Sequence, residues 1–190
     1  MEKIRTFIAI PLPDSVLAEF RKLNRKMRSI SRDVKWVRPE SIHLTLKFLG
    51  NLEPATLDRV FAAMDRCFQS AQEKFSLMVG GLGAFPHLKR PRVLWVGVQG
   101  EGFKHLLSLQ QQIEMELAEE GFEKEKRKFS PHLTVGRVKF TGHLEELLKT
   151  FMEYPFPEMN FTVERIQIMR SELKSDGAVY SVQREYFLSD

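Results

Sequence analysis

Cys67 is the only cysteine in the chain. One thiol can make neither an internal disulfide nor a multi-cysteine zinc site. It falls within RVFAAMDRCF, the apolar pattern of a predicted helix, where a thiol behaves as a small buried hydrophobe. Long apolar runs are lacking too. None approaches the ~18 residues that a membrane span requires. The basic start MEKIRTFIAIPLPD has an apolar run that ends at Pro11, short of a secretory signal's core, so it reads as a first strand in a cytoplasmic protein. No His-Glu-x-x-His zinc pattern, no G-x-x-x-x-G-K-[ST] phosphate loop and no G-x-S-x-G nucleophile turn is present, which sets aside three large enzyme classes. Lys174-Ser175-Asp176-Gly177 does spell K-x-D-G, a motif of nucleotidyl-transferring ligases. Between two apolar runs, however, Ser-Asp-Gly reads as a hairpin turn.

The chain has the 43% apolar content of a globular protein and a net charge of +4, which permits a polyanionic partner without requiring one. Charge is densest in EKEKRK (Glu123–Lys128), where the signs are mixed and a solvated segment is expected.

The strongest internal feature is a repeat. Ser41-Ile42-His43-Leu44-Thr45-Leu46 matches Ser130-Pro131-His132-Leu133-Thr134-Val135 at an offset of 89 residues. The surroundings repeat with it. Thr6–Ile10 reads as a strand, followed by a helix over about 14–30. Arg92–Val98 reads as a strand, followed by a helix over about 102–120. After the first motif a helix from Pro54 to about Ser70 leads to the strand Phe75–Phe85. After the second, a helix at about 142–151 leads to the strand Phe161–Ser171. Each half, 5–85 and 92–171, therefore reads strand, helix, motif strand, helix, strand. Residues 86–91 (PHLKRP) look like a turn or crossover, and no flexible linker divides the halves. The C-terminal run Ala178–Leu188 reads as a further strand that could pair with either half. The expectation is one α+β domain over 1–190, with two pseudo-symmetric lobes of mostly antiparallel sheet.

Alternation puts His43, Thr45 and Lys47 on one face of their strand, with Leu44, Leu46 and Phe48 on the other. In the second copy His132, Thr134 and Gly136 oppose Leu133 and Val135. The apolar faces pack against helices. The imidazoles and hydroxyls would need partners if covered. One such strand is ordinarily a satisfied sheet histidine; two matched copies point instead to a shared polar cleft. Imidazoles titrate near neutrality and suit proton transfer, and hydroxyls can donate to an anion's oxygens. In-line displacement at phosphorus needs one group on the attacking side and one on the leaving side, and two lobes supply two walls. Lys47, on the same predicted face, would add positive potential or else end as a solvated strand terminus. Trp36, Phe48 and Phe129 flank the motifs and could stack a base at the cleft mouth. His87, His105 and His143 read as surface residues.

At these residues the chain resembles the 2H phosphoesterase superfamily, in its RNA 2′,3′-cyclic phosphodiesterase (2′-5′ RNA ligase) branch. RTFIAIPLPD (5–14), WVRPESIHLTLKFLG (36–50), FSPHLTVGRVK (129–139) and SELKSDGAVYSV (171–182) carry the likeness over nearly the whole chain. The resemblance implies a fold whose two lobes, each an antiparallel sheet with helices outside, enclose a central cleft. It implies opening of an RNA 2′,3′-cyclic phosphate end to a 2′-phosphate without metal or cofactor, and brings with it joining or cleavage of 2′-5′ linkages. It makes His43 the proton donor and His132 the proton acceptor. Thr45 and Thr134 become phosphate ligands, and Arg137 a further phosphate contact. RNA ends or small cyclic nucleotides would be the substrate of a monomer with no obligatory protein partner. The alternative, from a different class, is a non-catalytic RNA- or nucleotide-binding module using the same cleft. Paired histidines favour catalysis, because Arg or Lys would serve binding better.

Overall fold

In the computed structural model, which describes residues 3–140, 144–174 and 177–190, the β-branched and aromatic runs form nine strands. β1 (Ile4–Pro11) leads into α1 (Asp14–Arg28), then β2 (Val34–Trp36), a 3₁₀ turn at Pro39–Ser41, and β3 (His43–Leu52). α2 (Pro54–Cys67), β4 (Phe75–Phe85), β5 (Val93–Gln99), α3 (Phe103–Glu119) and β6 (His132–Val138) follow. α4 (Glu145–Met152), β7 (Met159–Val163), β8 (Arg165–Lys174) and β9 (Gly177–Phe187) complete the chain.

The helices form where apolar residues recur every three or four positions. α1 buries Val16, Phe20, Leu23 and Met27, and α3 buries Leu106, Leu109, Ile113 and Leu117. Each such side chain contributes about 1.5–3 kcal/mol by leaving water. Cys67 is fully buried at the end of α2, and desolvation pushes its thiol up to about 12, so it packs rather than reacts. Among the described residues no helix is long and apolar enough to cross a membrane.

The strands make two sheets, ordered β3-β1-β8-β9 and β2-β6-β5-β4-β7, with every pair antiparallel. The run expected as a single strand, Phe161–Ser171, is instead two. It breaks at Glu164, and β7 joins the five-stranded sheet while β8 joins the four-stranded one. The sheets also cut across the sequence repeat. β4 ends the first half yet lies beside β5, and β8 ends the second half yet lies beside β1. Thus β3-β1-β8 mirrors β6-β5-β4, and each half lends its last strand to the other half's sheet. That exchange explains the missing linker: residues 86–91 merely turn the β4–β5 hairpin. The C-terminal run, β9, pairs with β8 at the edge of the four-stranded sheet. In the β8–β9 hairpin Lys174 faces Gly177, while Ser175 and Asp176 of the expected turn lie outside the described residues, as do His143 and the expected start of α4.

Candidate active site

Both motif strands bulge at the same place. Along β1 the register passes from Ala9↔Thr45 to Ile8↔Lys47, leaving Leu46 unmatched. Along β5 it passes from Trp95↔Thr134 to Leu94↔Gly136, leaving Val135 unmatched. Leu46 and Val135 are themselves 89 residues apart. An unmatched residue turns over every side chain beyond it. The cleft face therefore reads His43, Thr45, Phe48 in one strand and His132, Thr134, Arg137 in the other, and all six line one cavity of about 480 Å³. The two strands approach within 8 Å, Cα to Cα.

Simple alternation had Lys47 and Gly136 on that face, and the bulges remove both. Lys47 is neither in the cleft nor solvated. It is buried, donating to Glu114 Oε2 of α3 at 2.8 Å and to the Glu123 carbonyl at 2.7 Å. The same carboxylate accepts the Glu125 amide, so EKEKRK is pinned by its backbone at the start while all six of its residues are exposed, as expected of a solvated segment. Gly136 lies under the Trp36 ring, where a Cβ would come within 3.0 Å of the indole and 2.6 Å of Val34.

The two histidines share a device and differ in surroundings. His43 Nδ1 lies 2.9 Å from the Ser41 carbonyl, and His132 Nδ1 lies 2.7 Å from the Ser130 carbonyl. A carbonyl only accepts, so each Nδ1 carries the hydrogen and each Nε2 is left for chemistry. His43 is stacked on Phe7 (4.6 Å between centroids) and meets the edge of Tyr180 at 5.3 Å. This shielding from water lowers its pKa to about 4, against which the Ser41 hydrogen bond pulls upward. Among the described residues His132 has one such neighbour, Phe85, edge-on at 4.9 Å.

The cavity walls are cationic. Arg5, Lys35, Arg38 and Arg137 line it, and among the described residues no carboxylate does. Arg5 lies over the Phe48 ring at 4.6 Å. Burial raises the pKa of the Tyr180 hydroxyl while Arg137 and Arg5 pull it down, so a neutral phenol faces two guanidinium groups from opposite sheets. Such a pocket selects an anion. Among the described residues, no group of three or more His, Cys, Asp or Glu side chains is placed to hold a metal ion.

All five expected site residues, His43, Thr45, His132, Thr134 and Arg137, thus line one cavity. Arg5, Lys35, Arg38 and Tyr180 were not singled out from the sequence. Of the flanking aromatics, Trp36 lines the cavity but is only 7% exposed, whereas Phe48 lines it at 51% and can offer a face. Phe129 packs against the core. His87 is exposed in the β4–β5 turn, and His105 is an exposed residue of α3 stacked on Phe75 at 4.9 Å.

The profile of the 2′-5′ RNA ligase superfamily matches residues 12–174. The chain belongs to that superfamily. Fellow members include an RNA 2′,3′-cyclic phosphodiesterase of Methanothermobacter thermautotrophicus, 33% identical over 94% of this chain and 96% of its own. One of Thermotoga maritima is 33% identical over 96% and 94%. A solved structure from Thermus thermophilus superimposes with a TM-score of 0.78 at 28% identity, covering 97% of both chains. The crystal structure of E. coli LigT complexed with 3′-AMP gives 0.78 at 21% identity over the full length of both, a likeness of fold. The superfamily's two-sheet α+β architecture is the one described above.

Proposed function

We propose that the protein is an RNA 2′,3′-cyclic phosphodiesterase, opening cyclic ends to 2′-phosphates by acid–base catalysis between His43 and His132. The observation that carries the reading is the pair of imidazoles, one from each sheet, each held through Nδ1 by a carbonyl and both lining one cationic cavity. His132 takes a proton from water, whose oxygen bonds to phosphorus. The P–O3′ bond breaks on the opposite side, and His43 delivers its proton to O3′. Thr45, Thr134 and Arg137 hold the non-bridging oxygens. The names of the curated relatives, at about a third identity over nearly the whole chain, support the same substrate class.

With its pKa lowered to about 4, His43 is neutral at pH 7, and its donor role requires the substrate to raise its pKa. A cyclic phosphate brings a negative charge against Nε2 and a departing oxygen that gains charge, and both favour the imidazolium. Joining or cleaving a 2′-5′ linkage at this site would follow the same proton path, without ATP. The experiment is hydrolysis of a short RNA ending in a 2′,3′-cyclic phosphate, with EDTA present. The expected product carries a 2′-phosphate at an undiminished rate. A 3′-phosphate product, or activity lost to EDTA and restored by one divalent ion, overturns the reading.

A further inference from the structure

The repeat furnishes one histidine and one threonine from each wall, so by itself it does not distinguish the leaving side of phosphorus from the attacking side. Outside the repeat the walls differ. β9 flanks β8 along its whole length and carries Tyr180, opposite Ser171, into the cavity beside His43. β7 holds the matching place beside β4 but pairs only with Phe75–Val79, away from Phe85, the residue whose ring meets His132. Among the described residues Tyr180 therefore has no counterpart on the His132 wall. Its ring and its hydroxyl also do different things. The ring packs edge-to-face with Phe7 at 5.1 Å and with His43 at 5.3 Å. The hydroxyl is half-buried and makes no hydrogen bond among the described residues, unlike that of Tyr186, which donates to Asp65 at 2.7 Å. A phenol that leaves water ordinarily finds such a partner. Burial holds the Tyr180 hydroxyl above its ordinary range, against the pull of Arg137 and Arg5, so it keeps its proton and donates.

We propose that Tyr180 is a third catalytic residue, its hydroxyl donating a hydrogen bond to the ribose oxygen that departs beside His43. The proposal rests on the function proposed above and deepens it. As the P–O3′ bond breaks, its electron pair goes to O3′. The proton that O3′ gains comes from His43 Nε2, and Tyr180 keeps its own. The phenol stabilises the charge on O3′ before that proton has arrived. The need is specific to this wall. Packing against Phe7 and Tyr180 disfavours the imidazolium of His43, so the leaving oxygen faces an acid that is charged only once the substrate is bound. A second donor that does not lose its proton lowers the demand on that acid. The non-bridging oxygens already have Thr45, Thr134 and Arg137, whereas O3′ has His43 alone. The ring that shields His43 from water thus brings its own compensation on the adjoining hydroxyl.

The test is Tyr180→Phe, which keeps the ring against Phe7 and His43 and removes only the hydroxyl. Two substrates are compared: a short RNA ending in a 2′,3′-cyclic phosphate, and the same RNA with sulfur in place of the terminal O3′. A thiolate departs without a proton and accepts hydrogen bonds weakly, so it has little use for the phenol. On the oxygen substrate the variant should lose about 10–100-fold in kcat, the worth of a hydrogen bond to an oxygen that gains charge, with KM within about twofold. On the sulfur substrate its kcat should stay within about threefold of the full chain's. The thermal unfolding midpoint should not move, because the hydroxyl ties nothing together in the fold. Equal loss in kcat on both substrates would make Tyr180 a phosphate ligand or a piece of wall and overturns the proposal, as does a loss confined to KM. Full activity of Tyr180→Phe on the oxygen substrate overturns it too and leaves the two-histidine function standing. Should the full chain hydrolyse neither substrate, that function falls and takes the role of Tyr180 with it.

Discussion

Phe48 and Arg137 occupy equivalent places, five residues beyond His43 and His132, and a bulge at Leu46 and at Val135 turns both into the cleft. The repeat thus carries an aromatic ring on one wall and a guanidinium on the other. The two should divide recognition between base and phosphate. Arg137→Ala should lower kcat/KM by about 10–100-fold, the worth of one or two charge-assisted hydrogen bonds, on every cyclic phosphate tested. Phe48→Ala should cost about 5–50-fold in KM on nucleoside cyclic phosphates. It should cost little on ribose 2′,3′-cyclic phosphate, which has no base. Equal losses on both substrates would deny Phe48 a stacking role.

The Lys47–Glu114 pair ties β3 to α3, with side chains only 7% and 11% exposed. Removing one partner strands a buried charge, at a cost of about 3–5 kcal/mol. Lys47→Met should therefore lower the urea midpoint markedly while leaving kcat of the surviving folded enzyme within about twofold, since Lys47 does not reach the cavity. Lys47→Met with Glu114→Leu should recover much of the loss. A double variant no better than the single would mean that the pair is not the source.

Acid stability should carry a signature of His43. Its pKa is about 4 in the folded protein against about 6.5 for a free histidine, so between those values the unfolded chain binds the extra proton. This contribution to stability is fully present above pH 6.5, falls as pH drops through the window, and is exhausted below about pH 4. Its ceiling is about 3 kcal/mol. Urea unfolding at pH 7 and at pH 4.5 should show the wild type losing more stability than His43→Gln. Identical losses would mean that Phe7 and Tyr180 do not desolvate the ring.

Much of this was legible in the sequence, for identifiable reasons. The repeat placed His43, Thr45, His132 and Thr134 because period-two alternation holds as far as the threonines. It failed just beyond them, because a bulge depends on how the partner strand pairs, and nothing within HLTLKF or HLTVGR announces it. The helices α1 to α3 were readable from their 3- and 4-residue apolar spacing. The break at Glu164 was not, because FTVERIQIMRS keeps strand character throughout while its two parts belong to different sheets. Arg5 and Tyr180 reach the cavity through long-range strand pairing, from the two ends of the chain, and no local pattern could bring them together.

The central claim is that His43 protonates the leaving oxygen while His132 deprotonates water. The direct measurement is the rate of His43→Ala and His132→Ala on two substrates: an RNA 2′,3′-cyclic phosphate end, and an analogue whose 3′ leaving group is acidic enough to depart unprotonated. On the RNA end each variant should fall by about 10²–10⁴. On the analogue His43→Ala should recover most of its loss and His132→Ala should not. Rescue of His132→Ala instead would reverse the two roles, and undiminished hydrolysis of the RNA end by both variants would contradict two-histidine catalysis altogether.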